Sequence, residues 1–128
     1  MIPLLSVDVH PGPLLIVDDR ADVLRTLGPL FELWFGTVLL ASTPVQAAEH
    51  VRVASPPFLL CDHDLGPGVP NGCEVVRWLR ASFPCLQRVA LMTGGSAVSL
   101  ASDWGGADFV FAKPFDAQTV RRFFLDGR

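Results

Sequence analysis

Charged residues are scarce in this chain. They make up 18% of its 128 residues, with 10 lysines and arginines against 13 aspartates and glutamates and a formal net charge of −3. That balance excludes the basic stripe with which a nucleic-acid binder neutralises phosphates. Cysteine is scarce too. Cys61, Cys73 and Cys85 are odd in number and never fall in a CxxC spacing, which argues against a disulfide framework or zinc site and for free thiols in a reducing cytosol. No apolar run approaches the roughly 20 residues that span a bilayer. The opening stretch MIPLLSVDVHPGP lacks a basic leader, carries Asp8 and is broken by prolines, so it does not read as a signal peptide. Internal repeats and low-complexity tracts are missing. What is present is apolar: half of the residues are hydrophobic, enough for one real core and too many for a disordered chain.

Five short apolar runs recur: PLLIV (13–17), TVLLA (37–41), PFLLC (57–61), RVALM (88–92) and DFVFA (108–112). They are near-continuous rather than alternating, which suits strands buried on both faces of a parallel sheet. The intervals look helical. Val23, Leu24, Leu27, Leu30, Phe31 and Trp34 follow helical spacing, with Pro29 placed to kink or split the segment. TPVQAAEHV opens with Thr43 as N-cap, Pro44 at the first helical position and Gln46 three residues after the cap, the pattern of a capping box. NGCEVVRWLRASF opens the same way from Asn71 and Glu74. SAVSLASDW (96–104) is a short fourth helix, and DAQTVRRFF closes the series from a capping Asp116. This β-α alternation predicts an open parallel sheet with right-handed crossovers and helices on both faces. With five such units the expected fold is an α/β, flavodoxin-like (βα)5 doubly wound sheet of strand order 2-1-3-4-5. Ligands of such sheets sit outside the carboxyl ends of the strands, at the switch point between strands 1 and 3.

Polar groups stand at those ends. Strand 1 ends in Asp18-Asp19, strand 3 in Asp62 with Asp64 two residues on, strand 4 in Thr93 before Gly94-Gly95, and strand 5 in Lys113-Pro114. The outlying strand 2 offers only Ala41-Ser42. Each group alone has an ordinary explanation: an Asp pair caps a helix, a Thr closes a turn, a Lys faces solvent. Their conjunction fits phosphoryl transfer to a carboxylate. Asp62 would be a nucleophile forming an acyl phosphate. Three clustered carboxylates need a cation, and hard oxygen donors suit Mg²⁺. Lys113 would supply a fixed positive charge, Thr93 a hydroxyl hydrogen bond to a phosphoryl oxygen, and Gly94 room for the donor to approach in line.

At this point the chain resembles the receiver domain of bacterial two-component response regulators, from about Leu14 to about Phe124. The pieces that carry the likeness are LLIVDD, FLLCDHDLG…NG, ALMTGG and GGADFVFAKPF, in the family's order. The resemblance implies one receiver domain over residues 1–128, with its core at about 13–125. Asp62 is then the phosphoacceptor, with Thr93 and Lys113 in the roles just given. Asp19 ligates Mg²⁺ directly, Asp18 acts mostly through metal-bound water, and the backbone carbonyl of Asp64 completes the protein's share of the metal shell, with Mn²⁺ as a substitute. The Lys113–Pro114 peptide is implied to be cis. A sensor histidine kinase or histidine phosphotransfer protein is the implied donor, and an output protein or domain receives the signal. A homodimer stays open; direct nucleic-acid or membrane binding is not expected. Such a chain is cytoplasmic and catalyses only its own phosphorylation and dephosphorylation.

Three departures mark this sequence. The loop GPGVPNG is about two residues longer than usual, with Gly66 in place of a common proline; counting back from Gly72 would make Asp64 the acceptor, whereas the apolar run ending at Cys61 favours Asp62. Asp64 is an acid where the family is variable and often uncharged. Val110 replaces the usual aromatic three residues before the lysine, so activation is expected to move the 94–99 loop and the start of helix 4 rather than a ring on strand 5. Two other readings compete. LLCDHDLG matches the first half of a haloacid-dehalogenase phosphatase motif, with Asp62 and Asp64 as nucleophile and general acid, but Gly66 stands where that motif has Thr or Val, and Asp18-Asp19 precede rather than follow the lysine. A receiver-like module that docks without being phosphorylated would not need all five polar residues. His63 is expected to turn away from the cleft, since neighbours at a strand end alternate sides. No output domain follows strand 5 and its helix, so the chain reads either as a stand-alone receiver or as a piece of a larger protein.

Overall fold

The five apolar runs form one parallel sheet in the computed structural model, which describes residues 9–94 and 104–126. The strands are β1 (Leu14–Val17), β2 (Val38–Ala41), β3 (Phe58–Asp62), β4 (Arg88–Thr93) and β5 (Phe109–Ala112). Their spatial order is β2-β1-β3-β4-β5, as the alternation predicts. The helices among the described residues are α1 (Ala21–Phe31), α2 (Pro44–Ala54), α3 (Gly72–Ser82) and α4 (Ala117–Asp126). The helix expected over 96–104 lies outside the described residues apart from Trp104, as does most of the 94–99 loop.

Strand alternation sorts the core into two layers. Leu15, Val17, Leu59, Cys61, Leu91 and Val110 face α2 and α3, meeting Ala47, Val51, Val76 and Leu79. Leu14, Ile16, Phe58, Leu60, Met92 and Phe111 face α1 and α4, meeting Leu24, Phe31, Val120, Phe123 and Phe124. Burial on both faces holds for β1, β3 and nearly all of β4, but not for the edges. Leu40 on β2 and Phe109 on β5 are exposed, because an edge strand has a neighbour on one side only.

Local signals decide the helix ends. At α3 the expected capping box is complete: Glu74 N–H donates to Asn71 Oδ1 and Asn71 N–H donates to Glu74 Oε1, both at 3.0 Å. At α2 it is half formed. Gln46 N–H donates to Thr43 Oγ1 at 3.1 Å, but Gln46 Oε1 reaches one residue further back and accepts from Ser42 N–H at 2.8 Å. Asp116 caps α4, with Gln118 N–H donating to its Oδ1 at 2.9 Å. Of the expected kink or split at Pro29, the split does not occur: Pro29 sits in the last turn of one helix that runs on to Phe31. Trp34, expected on the helix, instead lies in the following turn with its N–H donating to Phe31 O. The three cysteines are free thiols.

The Asn71 box starts the helix that packs under the end of β3. We expect Asn71→Ala to cost about 1 kcal/mol, seen as a fall of roughly 4 °C in the Tm of a domain this size. An unshifted melting curve would show that the box contributes nothing.

Candidate functional site

Parallel pairing brings the carboxyl ends of the central strands level. Val17 pairs with Cys61, and Asp62 pairs with Met92, so Asp18 and Asp62 emerge side by side. Asp18 is fully buried and Asp62 is 4% exposed; Asp19 is exposed. Carboxylate oxygens of Asp18, Asp19 and Asp62 all lie within 4.8 Å of one another. The Asp pair is not the cap of α1. That position belongs to Arg20, whose side chain makes no capping bond, while Asp18 Oδ1 accepts the Arg20 N–H at 2.9 Å.

Lys113 reaches this trio from the far side. Its N–H donates to Thr93 O at 2.7 Å, fixing the exit of β5 against the end of β4. Its Nζ lies 3.1 Å from Asp62 Oδ1 and 3.3 Å from Asp18 Oδ2, and the Lys113–Pro114 peptide is cis. Thr93 is buried as the last residue of β4. It follows Met92, the β4 residue that pairs with Asp62. A cleft of about 250 Å³ is lined by Asp19, Arg20, Asp62, Asp64, Gly94 and Lys113. Among the described residues, nothing lies within 4 Å of a Cβ added to Gly94. A larger hollow of about 440 Å³, bounded by Val9, His10, Pro11, Arg121, Leu125 and Asp126, gathers no comparable set of acids.

The longer loop leaves Asp62, not Asp64, among the acids and the lysine. Asp64 is exposed at the cleft rim, and its Oδ1 accepts the Gly66 N–H at 3.2 Å. Gly66 has φ +107°, and a Cβ there would lie 3.3 Å from Asp19 Oδ2. Proline, fixed near φ −65°, could not adopt this turn, which accounts for glycine where the resembled family commonly has proline. Gly72 is required by close approach: a Cβ would stand 2.4 Å from Asp62 O and 2.7 Å from His63 Cα. His63 is half-buried and, as expected, does not line the cleft.

The electrostatics follow from burial and crowding. Loss of solvent pushes the Asp62 carboxyl above its usual range, the Asp18 charge adds to this, and Lys113 opposes it. Burial alone would lower the Lys113 ammonium, but Asp62 and Asp18 outweigh it and raise the group. Burial likewise pushes the neighbouring Cys61 thiol up, with the Asp62 and Asp18 charges adding to it. Convergent hard oxygens with one lysine among them fit a divalent cation of the Mg²⁺ or Ca²⁺ kind. Arg20 is the cleft residue that sequence reasoning missed. Its signal was position alone, directly after the Asp pair at the end of β1.

A raised Asp62 means that the folded state holds its proton more tightly than the unfolded chain. Metal-free stability should therefore fall as pH rises from the ordinary carboxylate range through the raised value. Asp62→Asn should flatten this slope and raise the metal-free Tm at neutral pH. Millimolar Mg²⁺ should stabilise the wild-type chain, by less in Asp19→Ala and by less on acidification, since protons compete for the same oxygens. Equal melting temperatures with and without Mg²⁺ at neutral pH would count against a cation site.

No protein-family model matches the chain. It is 32% identical over 119 residues to the alginate biosynthesis transcriptional regulatory protein AlgB of Pseudomonas putida, which covers 91% of this chain but 26% of that protein. The chain thus spans about a quarter of the length of the curated relatives it matches. Among solved structures, a two-component response regulator of the LuxR family from Aurantimonas sp. SI85-9A1 superposes with a TM-score of 0.76 at 25% identity, over 93% of this chain and 88% of that one. A response regulator from Burkholderia pseudomallei, solved with a phosphorylated aspartic acid, calcium ion and citrate, shares the fold with a TM-score of 0.77 at 24% identity, over 87% of this chain and 65% of that one. With its sheet order, its acids at the ends of β1 and β3 and these relatives, the chain belongs to the receiver domains of the two-component response regulators.

Proposed function

We propose that this receiver takes a phosphoryl group from a phosphohistidine onto Asp62, and that Mg²⁺ is the cation of the site. The observation that carries this reading is the approach of Lys113 Nζ to Asp62 Oδ1 at 3.1 Å, beside Asp18 and Asp19. An Asp62 oxygen attacks phosphorus as the bond from phosphorus to the donor imidazole nitrogen breaks, and the imidazole leaves with the electron pair. When bound, the divalent ion neutralises charge on the phosphoryl oxygens. Asp19 and Asp62 would ligate it, with the Asp64 carbonyl, and Asp18 would hold its water. Lys113 offsets charge that the acids alone would repel. The Thr93 hydroxyl would donate to a phosphoryl oxygen, and Gly94, with no side chain, would leave room for the donor. Hydrolysis reverses the chemistry: water attacks phosphorus and the Asp62 carboxylate leaves. The chain would therefore catalyse only its own phosphorylation and dephosphorylation. The haloacid-dehalogenase alternative needs Asp64 as a general acid; an Asp64 oxygen held on Gly66 N–H at the rim suits that role poorly.

The donor would be a sensor histidine kinase or a histidine phosphotransfer protein in the cytoplasm. None of the described helices is long and apolar enough to cross a membrane. The state of Asp62 would pass to an output protein or domain. The alginate relatives carry the name of transcriptional regulators, so DNA binding, if this signal ends there, would belong to that output and not to this fold.

Acetyl phosphate with Mg²⁺ should add one phosphoryl group to the wild-type chain by intact mass. Asp62→Asn should abolish the gain, Asp64→Asn should keep it, and Lys113→Ala should slow it on the order of 10²-fold. Loss of labelling in Asp64→Asn with retention in Asp62→Asn would overturn the assignment.

A further inference from the structure

Arg20 is placed by the same acids that make the site. Its N–H donates to Asp18 Oδ1 at 2.9 Å, and its carbonyl accepts from Val23 and Leu24 at the start of α1. The backbone from which its side chain springs is thus tied to the acid trio. Arg20 is one of the residues that line the cleft, with Asp62, Asp64 and Lys113. Its present partner is Asp22, with Nη2 to Oδ2 at 3.1 Å and both side chains more than 60% exposed. A pair so open to water is held weakly. Lys113, the other cation of the cleft lining, is already engaged by Asp18 and Asp62.

Phosphorylation changes the charge on this cleft. One carboxylate charge on Asp62 gives way to a phosphoryl group with about two negative charges. Asp64 adds a further acid at the rim. A guanidinium is the side chain best suited to such a group, because it donates two parallel hydrogen bonds to phosphoryl oxygens.

We propose that Arg20 is a second phosphoryl-binding cation, which exchanges Asp22 for the phosphoryl group at the mouth of the cleft; this rests on Asp62 being the acceptor. Asp22 then acts as a competing partner that holds the guanidinium in reserve. The two residues therefore make opposite predictions. In the transfer used as a test, an Asp62 oxygen bonds to the phosphorus of acetyl phosphate while its bond to the acetate oxygen breaks, and acetate leaves with the electron pair; no further reactant is needed.

The experiment is beryllofluoride binding in Mg²⁺ by the 128-residue chain, alongside the acetyl phosphate dependence of phosphorylation. Arg20→Gln should weaken beryllofluoride roughly tenfold and raise the acetyl phosphate concentration for half-maximal rate by a similar factor, with Arg20→Lys in between. Asp22→Asn should shift both in the other direction. Mg²⁺ affinity without the analogue should hold or tighten in Arg20→Gln, since a nearby positive charge is removed. A role confined to supporting α1 would instead make Arg20→Gln and Asp22→Asn change in the same sense, and that result overturns the proposal. So does wild-type beryllofluoride affinity in Arg20→Gln while Asp62 is phosphorylated normally. Failure of the wild-type chain to take up either reagent would overturn the Asp62 assignment and this inference with it.

Discussion

Lys113 Nζ stands between Asp62 Oδ1 at 3.1 Å and Asp18 Oδ2 at 3.3 Å, and the geometry of the site turns on that contact. Two nearly buried carboxylates and a third close by would otherwise repel one another with little water to screen them. The sheet forces the convergence: β1 and β3 are adjacent and in register, so Asp18 and Asp62 leave the core together. The lysine opposes the repulsion, yet loss of solvent first and the Asp18 charge second still hold the Asp62 carboxyl above its usual range. Crowded acids with little solvent are consistent with a divalent cation at this site.

The loop between β3 and α3 keeps that arrangement despite its extra length. Gly72 N–H donates to His63 O at 2.7 Å, and its lack of a side chain lets α3 begin against the carbonyl of Asp62. The Asn71 box fixes the helix start one residue before. Extra residues are therefore taken up between Asp64 and Pro70, away from the end of β3, where Gly66 turns back toward Asp19. The length of the loop changes the rim of the cleft and leaves its floor in place.

Most of the fold was legible because both of its periodicities are strong. Apolar runs at strand length, separated by helical spacing and closed by caps at Asn71 and Asp116, leave few alternative architectures. The floor of the site was legible for a related reason: an apolar run that stops in a carboxylate marks a strand end, and this placed Asp62 rather than Asp64 among the acids. The rim was harder to read. Arg20 stood outside the helical spacing that began at Val23 and carried no motif, and its backbone bond to Asp18 is what sets it at the cleft. Gln46 could serve either Ser42 or Thr43, a choice of one residue that spacing does not decide. Edge exposure at Leu40 and Phe109 left no trace in runs that are apolar throughout. Val110 packs in the core layer that also holds Leu91 and Leu79, with no ring at that position of β5 to move.

The central assignment is that of the phosphoacceptor, and borohydride trapping tests it most directly. An acyl phosphate on aspartate is reduced to homoserine, which peptide sequencing by mass spectrometry locates to a single position. After acetyl phosphate and Mg²⁺, homoserine at position 62 alone is the expected result. Homoserine at position 64, or at neither position in a chain that has gained the phosphoryl mass, would contradict the assignment.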